Sequence, residues 1–416
     1  MATAASYGSL AFKEQIAFFE AKNPSVNYAT VRGAAHDQSF VSAGAHRADL
    51  VADLFAVVNQ AIRDGLTLEE FRQDYYAVLD NYGWEPDGGR AWRAKVIYRT
   101  NLRTSYAAGR YAQLQAVKAT RPYWGYHHSD AVEHPREQHL AWDGLKIHAD
   151  NPWWKTHYPP SGFGCECYVT AYSLDEIHAM GKTGPDEPPA ERMRNIFFRG
   201  ETVQVPEGVD PGWDYAPGRA AFENQVQLTL EKTAPLPAVP AAKMNKQLLD
   251  EDSVETALQG SWSSWVDEVA AEPIVHGTAR NVGTLSTETV AGMQQAGAEP
   301  QTALVSMDDV HLVPLVKAAQ AEPPDNALST VLTLAELVQL PQILAQPEAV
   351  LLDAVSSALI YVFDTGRDGG KVAMVVNYLL QGTSRSNLVQ SGSVIGVEQL
   401  GQQLASGRLV LVEGTL

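Results

Sequence analysis

The residues best equipped for chemistry lie close together in the first half of the chain. Cys165 and Cys167, within GFGCECYVT (162–170), are its only cysteines, and six of its eleven histidines, at 127, 128, 134, 139, 148 and 157, lie just upstream. Two thiolates one residue apart with imidazoles nearby form a donor set for a structural zinc ion, which takes four nitrogen or sulfur ligands in a tetrahedron. His139 would be the third ligand and one of His134, His148 or His157 the fourth. The C-x-C spacing departs from the usual zinc-finger pattern. A cysteine pair packed under aromatic side chains, with the histidines bonding to loops, accounts for the same residues. A disulfide between residues i and i+2 would be strained in extended backbone. Nothing in the sequence marks the depressed thiol pKa that nucleophilic catalysis needs.

Two other groups of residues offer acid–base chemistry. Arg136, His139, Asp143 and Asp150 fall within fifteen residues, yet Asp143-Gly144 and Asp150-Asn151-Pro152 are ordinary turn sequences, and a structural role is the preferred reading. Near the C-terminus, His311 stands ahead of a helical segment, and Lys371 and Asn377 share a strand. A histidine with basic residues over an antiparallel sheet is suited to ribonuclease-type cleavage. A solvent-facing strand of alternating polarity explains them equally.

The elements that must position these residues are α+β and multidomain. Residues 1–120 read as mostly helical. Leu50, Leu54, Val58 and Ile62 make one apolar face that Gly65 ends, and Thr67 and Glu70 have capping-box spacing ahead of the stripe Phe71, Tyr75 and Val78. A third helix, over about 90–117, carries Arg99, Arg103 and Arg110 on one side, as a solvated face or as a docking surface for an acidic partner. Residues 121–200 change character to an irregular His/Cys-rich module whose last strand, CECYVTAY, would point Cys165, Cys167 and Val169 the same way. Residues 201–242 read as an extended Pro/Gly-rich connector lying on a surface, because Trp213 and Tyr215 are poor residues to leave in water. Residues 243–416 read as an α+β domain with an antiparallel sheet and a TGRDGG hairpin turn.

Composition narrows the function classes. The net charge of −18 is uneven: residues 1–200 carry 21 basic and 23 acidic side chains, whereas 201–416 carry 10 and 26, a net of −16. So acidic a half repels nucleic acid at long range. Two cysteines in 416 residues fit a reducing compartment rather than a disulfide-built fold. The sequence shows neither a signal peptide nor an apolar run long enough to span a bilayer, so a soluble protein made in a cytoplasm is expected.

Taken in order, FKEQIAFFEAKNP, the helices ending in YGW, YRTNLRTSYAAGRYAQ, RPYWGY, REQHLAWDG and YPPSGFGCECYV resemble the phage Mu protein F-like family of minor head proteins, over residues 10–175. VPEGVDPGWDYAPG resembles the connector that often follows. Arg136 and His139 match the family's Arg-x-x-His, AWDG is close to its Leu-x-Gly, and Pro159, Pro160 and Gly162 match its Pro-Pro-x-Gly. Cys165 and Cys167 match its Cys-Arg-Cys, with Glu166 where arginine is common. The resemblance implies a structural, non-enzymatic protein of a tailed-phage head, made with the procapsid in the host cytoplasm and carried in the virion. Its implied partners are the portal protein, the major capsid or scaffolding protein and packaged DNA, with no membrane, and delivery with the genome is a further implication. The C-terminal part loosely resembles phage-borne barnase/EndoU/colicin/RelE-like nucleases. That alternative implies RNA cleavage through His311 and Lys371, for which the acidic charge is a poor start.

Overall fold

A computed structural model describes residues 12–132, 134–321, 330–353, 355–364, 366, 370–379 and 385–416. The chain divides into two compact units, residues 1–222 and 223–416. The fold is α+β, as its pattern predicts. No helix among the described residues is long and apolar enough to cross a membrane.

The first unit opens with the expected helices. In Ala48–Asp64 the four-residue repeat of Leu50, Leu54, Val58 and Ile62 is buried, and Gly65 ends the helix at φ 67°, a left-handed conformation that glycine adopts without a Cβ clash. Thr67 and Glu70 form the predicted capping box at the start of Leu68–Tyr82. Phe71, Tyr75 and Leu79 are buried there, while Val78 packs only at the edge. The i, i+4 series therefore continues to 79 rather than stepping back to 78. These side chains close over Phe19 and Phe40, and Phe19 stacks on Phe55 with ring centroids 5.2 Å apart.

The helix Arg90–Ala116 runs for 27 residues, about 40 Å at the α-helical rise. Ala94 and Ile97 belong to the helical core, whereas Tyr111 and Leu114 belong to a second, aromatic core around Trp124 and Tyr158. Small residues let other segments approach this helix. Lys13–Glu20 crosses at Gly109, where a Cβ would stand 2.7 Å from the Gln15 backbone nitrogen, and Gln15 Nε2 donates to Leu102 O and Ser105 Oγ.

The stretch read as an extended connector holds more regular structure than its proline and glycine content suggests. Glu201–Pro206 pairs antiparallel with Met193–Phe198, and Arg219–Glu231 and Ala238–Leu249 are helices. Proline lies where a missing N–H costs nothing: Pro206 ends the strand, and Pro237 caps the second helix. Trp213 and Tyr215 are buried, as expected of them.

The second unit is a seven-stranded sheet in the order Leu409–Gly414, Ala349–Asp353, Ala358–Phe363, Gly370–Asn377, Asn387–Gly396, Leu304–Asp308 and Ala279–Thr284. Neighbours are antiparallel as expected, except that Asn387–Gly396 and Leu304–Asp308 run parallel. Ala279–Thr284 and Asn387–Gly396 are strands that composition hides, since glycine and asparagine, weak strand formers, interrupt ARNVGT and NLVQSGSVIG. The TGRDGG turn lies largely outside the described residues, although the strands it joins do pair. One face of the sheet carries the larger core, with Trp262 and Trp265 of the helix Asp252–Ala271. The other face packs Leu400 of Val397–Ala405 against Ala349, Leu351 and Val362.

Asp309 ties a loop to this sheet. Its carboxylate is buried, and Oδ2 accepts from His276 N, Thr278 N and Thr278 Oγ1 at 2.7, 3.0 and 3.0 Å. Burial works to raise its pKa, but the Thr278 and His276 N–H groups outweigh it and hold the carboxyl below its ordinary value. That stability is present above the unfolded-state value near 3.8 and is lost as pH falls through the lower folded value. Asp309→Asn is expected to cost about 2 kcal/mol at pH 7. Urea denaturation at several pH values should show the gap from wild type closing below about pH 4.

Candidate metal centre

The aromatic core of the first unit is built on a three-stranded antiparallel sheet, with Tyr123–His127 between Lys146–His148 and Tyr168–Tyr172. Strand alternation sorts the central residues by face. Trp124 and Tyr126 point into the core. Trp124 meets Tyr111, Trp154 and Tyr158 edge to face, and Tyr126 meets Trp142 and Trp153. On the opposite face Gly125 leaves room for Tyr172 and Lys146, and His127 Nε2 lies 2.8 Å from Thr170 Oγ1.

The short helix Glu137–Trp142 presents His139 and Trp142, three residues apart and both buried, to this core. Cys165 and Cys167 approach from the loop before Tyr168–Tyr172. The hydrogen-bonded ladder begins at Tyr168, later than CECYVTAY suggested, because residues 161–167 follow the turns of PPSGFG. The predicted facing nonetheless holds. Cys165, Cys167 and Val169 are buried, whereas Glu166 and Tyr168 point outward.

His139 is the hub. Its Nε2 N–H donates to Gly208 O at 2.9 Å, so in the neutral ring Nδ1 carries the lone pair. That atom lies 3.7 Å from Cys165 Sγ and 3.5 Å from Cys167 Sγ, and the three ligand atoms fall within 4.8 Å of one another. A second imidazole, His128, places Nδ1 3.6 Å from Cys167 Sγ. The hydrogen bond from Cys167 lowers the Cys165 pKa well below its ordinary value despite burial, and the same bond, with burial, raises that of Cys167. The buried Tyr126 hydroxyl beside them keeps its proton, its pKa raised by burial and by the nearby sulfur charge.

Of the other predicted histidines, His134 and His148 are exposed, with His148 Nδ1 accepting from Asp150 N. His157 is buried but turns Nδ1 to Trp153 O and stacks on Trp153, and burial lowers its pKa to about 4. The acid–base group dissolves into structural pairs, as preferred from its turn sequences. Arg136 meets Asp210 at 2.6 Å, Asp150 meets the buried Lys118 at 2.6 Å, and Asp143 accepts from His128 N at 2.9 Å.

The arginine face is partly engaged within the chain. Arg103 pairs with Glu166 at 2.8 Å, Arg110 donates to Gln113 Oε1 and Tyr106 Oη, and Arg99 is exposed. In the second unit the structure gives His311 and Lys371 separate carboxylate partners. His311 Nδ1 lies 2.6 Å from Asp308 Oδ1, and Lys371 pairs with Glu348. Lys371 stands opposite Ile395, whereas the strand leading to His311 pairs near Asn387 and Leu388.

Gly208 and Asp210 supply what residues 121–200 lack on their own. At φ 91° Gly208 turns its carbonyl to His139, and a Cβ there would stand 2.6 Å from the Trp142 ring. Gly212 has a similar φ of 83° with nothing near a Cβ. Gly212→Ala is therefore expected to cost about 1 kcal/mol of backbone strain, and Gly208→Ala about 3 kcal/mol once the clash is added. Equal losses in thermal denaturation would sink this account.

Residues 52–170, which span the cysteine–histidine group and most of its supporting helices, match the family model described as Phage Mu protein F like protein. The chain is 28% identical to the putative capsid assembly protein F of Escherichia phage Mu, over 97% of this chain and 95% of that protein. It is 26% identical to the Mu-like prophage FluMu F protein of Haemophilus influenzae, over 92% and 97% respectively. No solved structure matches. The family model and the relatives together bear out the resemblance: residues 52–170 match the phage Mu protein F-like model, and the likeness to F proteins extends along nearly the whole chain.

Proposed function

We propose that this chain is a capsid assembly protein of a tailed phage, a minor head component acting in head morphogenesis. The observation that carries this reading is end-to-end similarity to a protein named for capsid assembly, covering 97% of this chain. In this reading it joins the procapsid in the host cytoplasm, contacts portal, shell or scaffold, and remains in the virion, from which it can leave with DNA. Arg99 and the exposed part of Arg103 on the long helix are the docking cations, with Arg110 beside them on the same face.

Within this role the cysteine–histidine group is a structural zinc site. The donors fit: two sulfurs and one imidazole of fixed tautomer, buried and mutually close, favour zinc over the oxygen-seeking magnesium or calcium. A bound zinc ion would supply a cross-link between the helix Glu137–Trp142 and the cysteine loop.

Co-sedimentation of the purified chain with portal-containing procapsids tests the main reading, and its absence overturns the assembly role. Reversing Arg99, Arg103 and Arg110 to glutamate is expected to abolish that co-sedimentation while changing stability by no more than about 1 kcal/mol. Reversed variants that still co-sediment would show that docking uses another surface.

A further inference from the structure

We infer that His128 is the fourth ligand of the metal centre, closing it as a Cys₂His₂ structural site; the inference rests on the zinc reading of His139, Cys165 and Cys167. Tetrahedral zinc, with bonds of about 2.3 Å to sulfur and 2.0–2.1 Å to nitrogen, sets sulfur and nitrogen ligands about 3.6 Å apart. Three of the four sulfur-to-imidazole separations are 3.7, 3.5 and 3.6 Å, the last between Cys167 and His128; His128 stands outside the group of ligand atoms that lie within 4.8 Å of one another, so a bound ion would draw its ring inward.

Both imidazole Nδ1 atoms face Cys167 Sγ, and that of His139 faces Cys165 Sγ as well. A thiol donates one hydrogen bond and its sulfur accepts weakly, whereas a single cation between these atoms would draw a lone pair from each donor.

The backbone also prepares His128 for this role. It continues the phase of Trp124 and Tyr126, which point into the aromatic core, whereas its neighbour His127 points to Thr170 and Tyr172 on the other face. Its N–H donates to Asp143 Oδ1, which directly follows the helix that carries His139, so the His128 backbone is tied to the end of that helix. His134, His148 and His157 are engaged elsewhere or exposed.

The fourth ligand decides the class of site. Three protein ligands with a water in the fourth position are the pattern of a hydrolytic zinc, whereas four protein ligands leave no place for a substrate. With His128 bound, the centre is a staple and not a metallohydrolase.

The test is titration of the full-length chain, stripped of metal in reducing buffer, with Co(II) and then Zn(II). Wild type is expected to bind one ion per chain, with thiolate-to-cobalt charge-transfer absorption and the intense visible bands of a tetrahedral site. His128→Ala should lower zinc affinity by at least about 10- to 100-fold, and its cobalt bands should weaken and shift as water enters. His128→Cys should restore a closed site with stronger charge transfer, which guards against misreading a folding defect. If His128→Ala keeps the wild-type affinity and spectrum, His128 is not a ligand while the three-residue site survives. If wild type binds no metal, both readings fail.

Discussion

The first unit depends on one buried imidazole held from two sides. His139 gives its Nε2 proton to a backbone carbonyl 69 residues downstream and turns Nδ1 to two sulfurs from a third segment. Neither contact is local, so the ring joins a helix, a loop and a returning strand-end into one core. Around it Trp142 stacks on His139, Tyr126 packs edge-on, and Trp153 closes against both Tyr126 and Trp142. Aromatic side chains in this arrangement add geometric preference to their area burial, fixing the ring more tightly than an aliphatic core would.

Charge is arranged to support the same core. Lys118 is buried yet paired with Asp150, and Arg136 is paired with Asp210, which also faces Arg194. Removing Asp150 would strip a compensating charge from the buried Lys118, the costly case for ions. Gly162 belongs to this arrangement. A Cβ there would collide with Asp210 and Arg136, so glycine in PPSGFG serves an ion pair. The Arg103–Glu166 pair is exposed by comparison, and its weight is in orienting the cysteine loop on the long helix.

The helices and the candidate ligands were largely legible in the sequence, for different reasons. Four-residue apolar spacing and a Thr67–Glu70 cap specify their elements locally, and the structure follows them to the terminal glycine. Cys165, Cys167 and His139 stood out by type. What stayed hidden depends on distant partners. Nothing near Gly208 or Asp210 announces that they complete a module begun at residue 121, and Pro/Gly content made them look like linker. His128 was the near miss. Counting by twos from Trp124 through Tyr126 places it on the core side, a signal available once that strand is recognised. In the second unit, Asn387–Gly396 has its branched residues Val389, Val394 and Ile395 interrupted by QSGS, and it is paired by neighbours on both sides.

The return of residues 208–213 to the aromatic core carries a consequence for synthesis. The helical core is complete in sequence by Leu102, so it can condense while the chain is still being made. The module after it cannot, since the carbonyl that fixes His139 is translated 69 residues later. At about 5–20 residues per second that delay is about 3–14 s for His139 and about 2–9 s for the two cysteines, during which they and a row of tryptophans stand without their closing segment. Nascent-chain stage, rather than equilibrium stability alone, then sets when this module is most exposed to oxidation and to mispairing with other newly made chains.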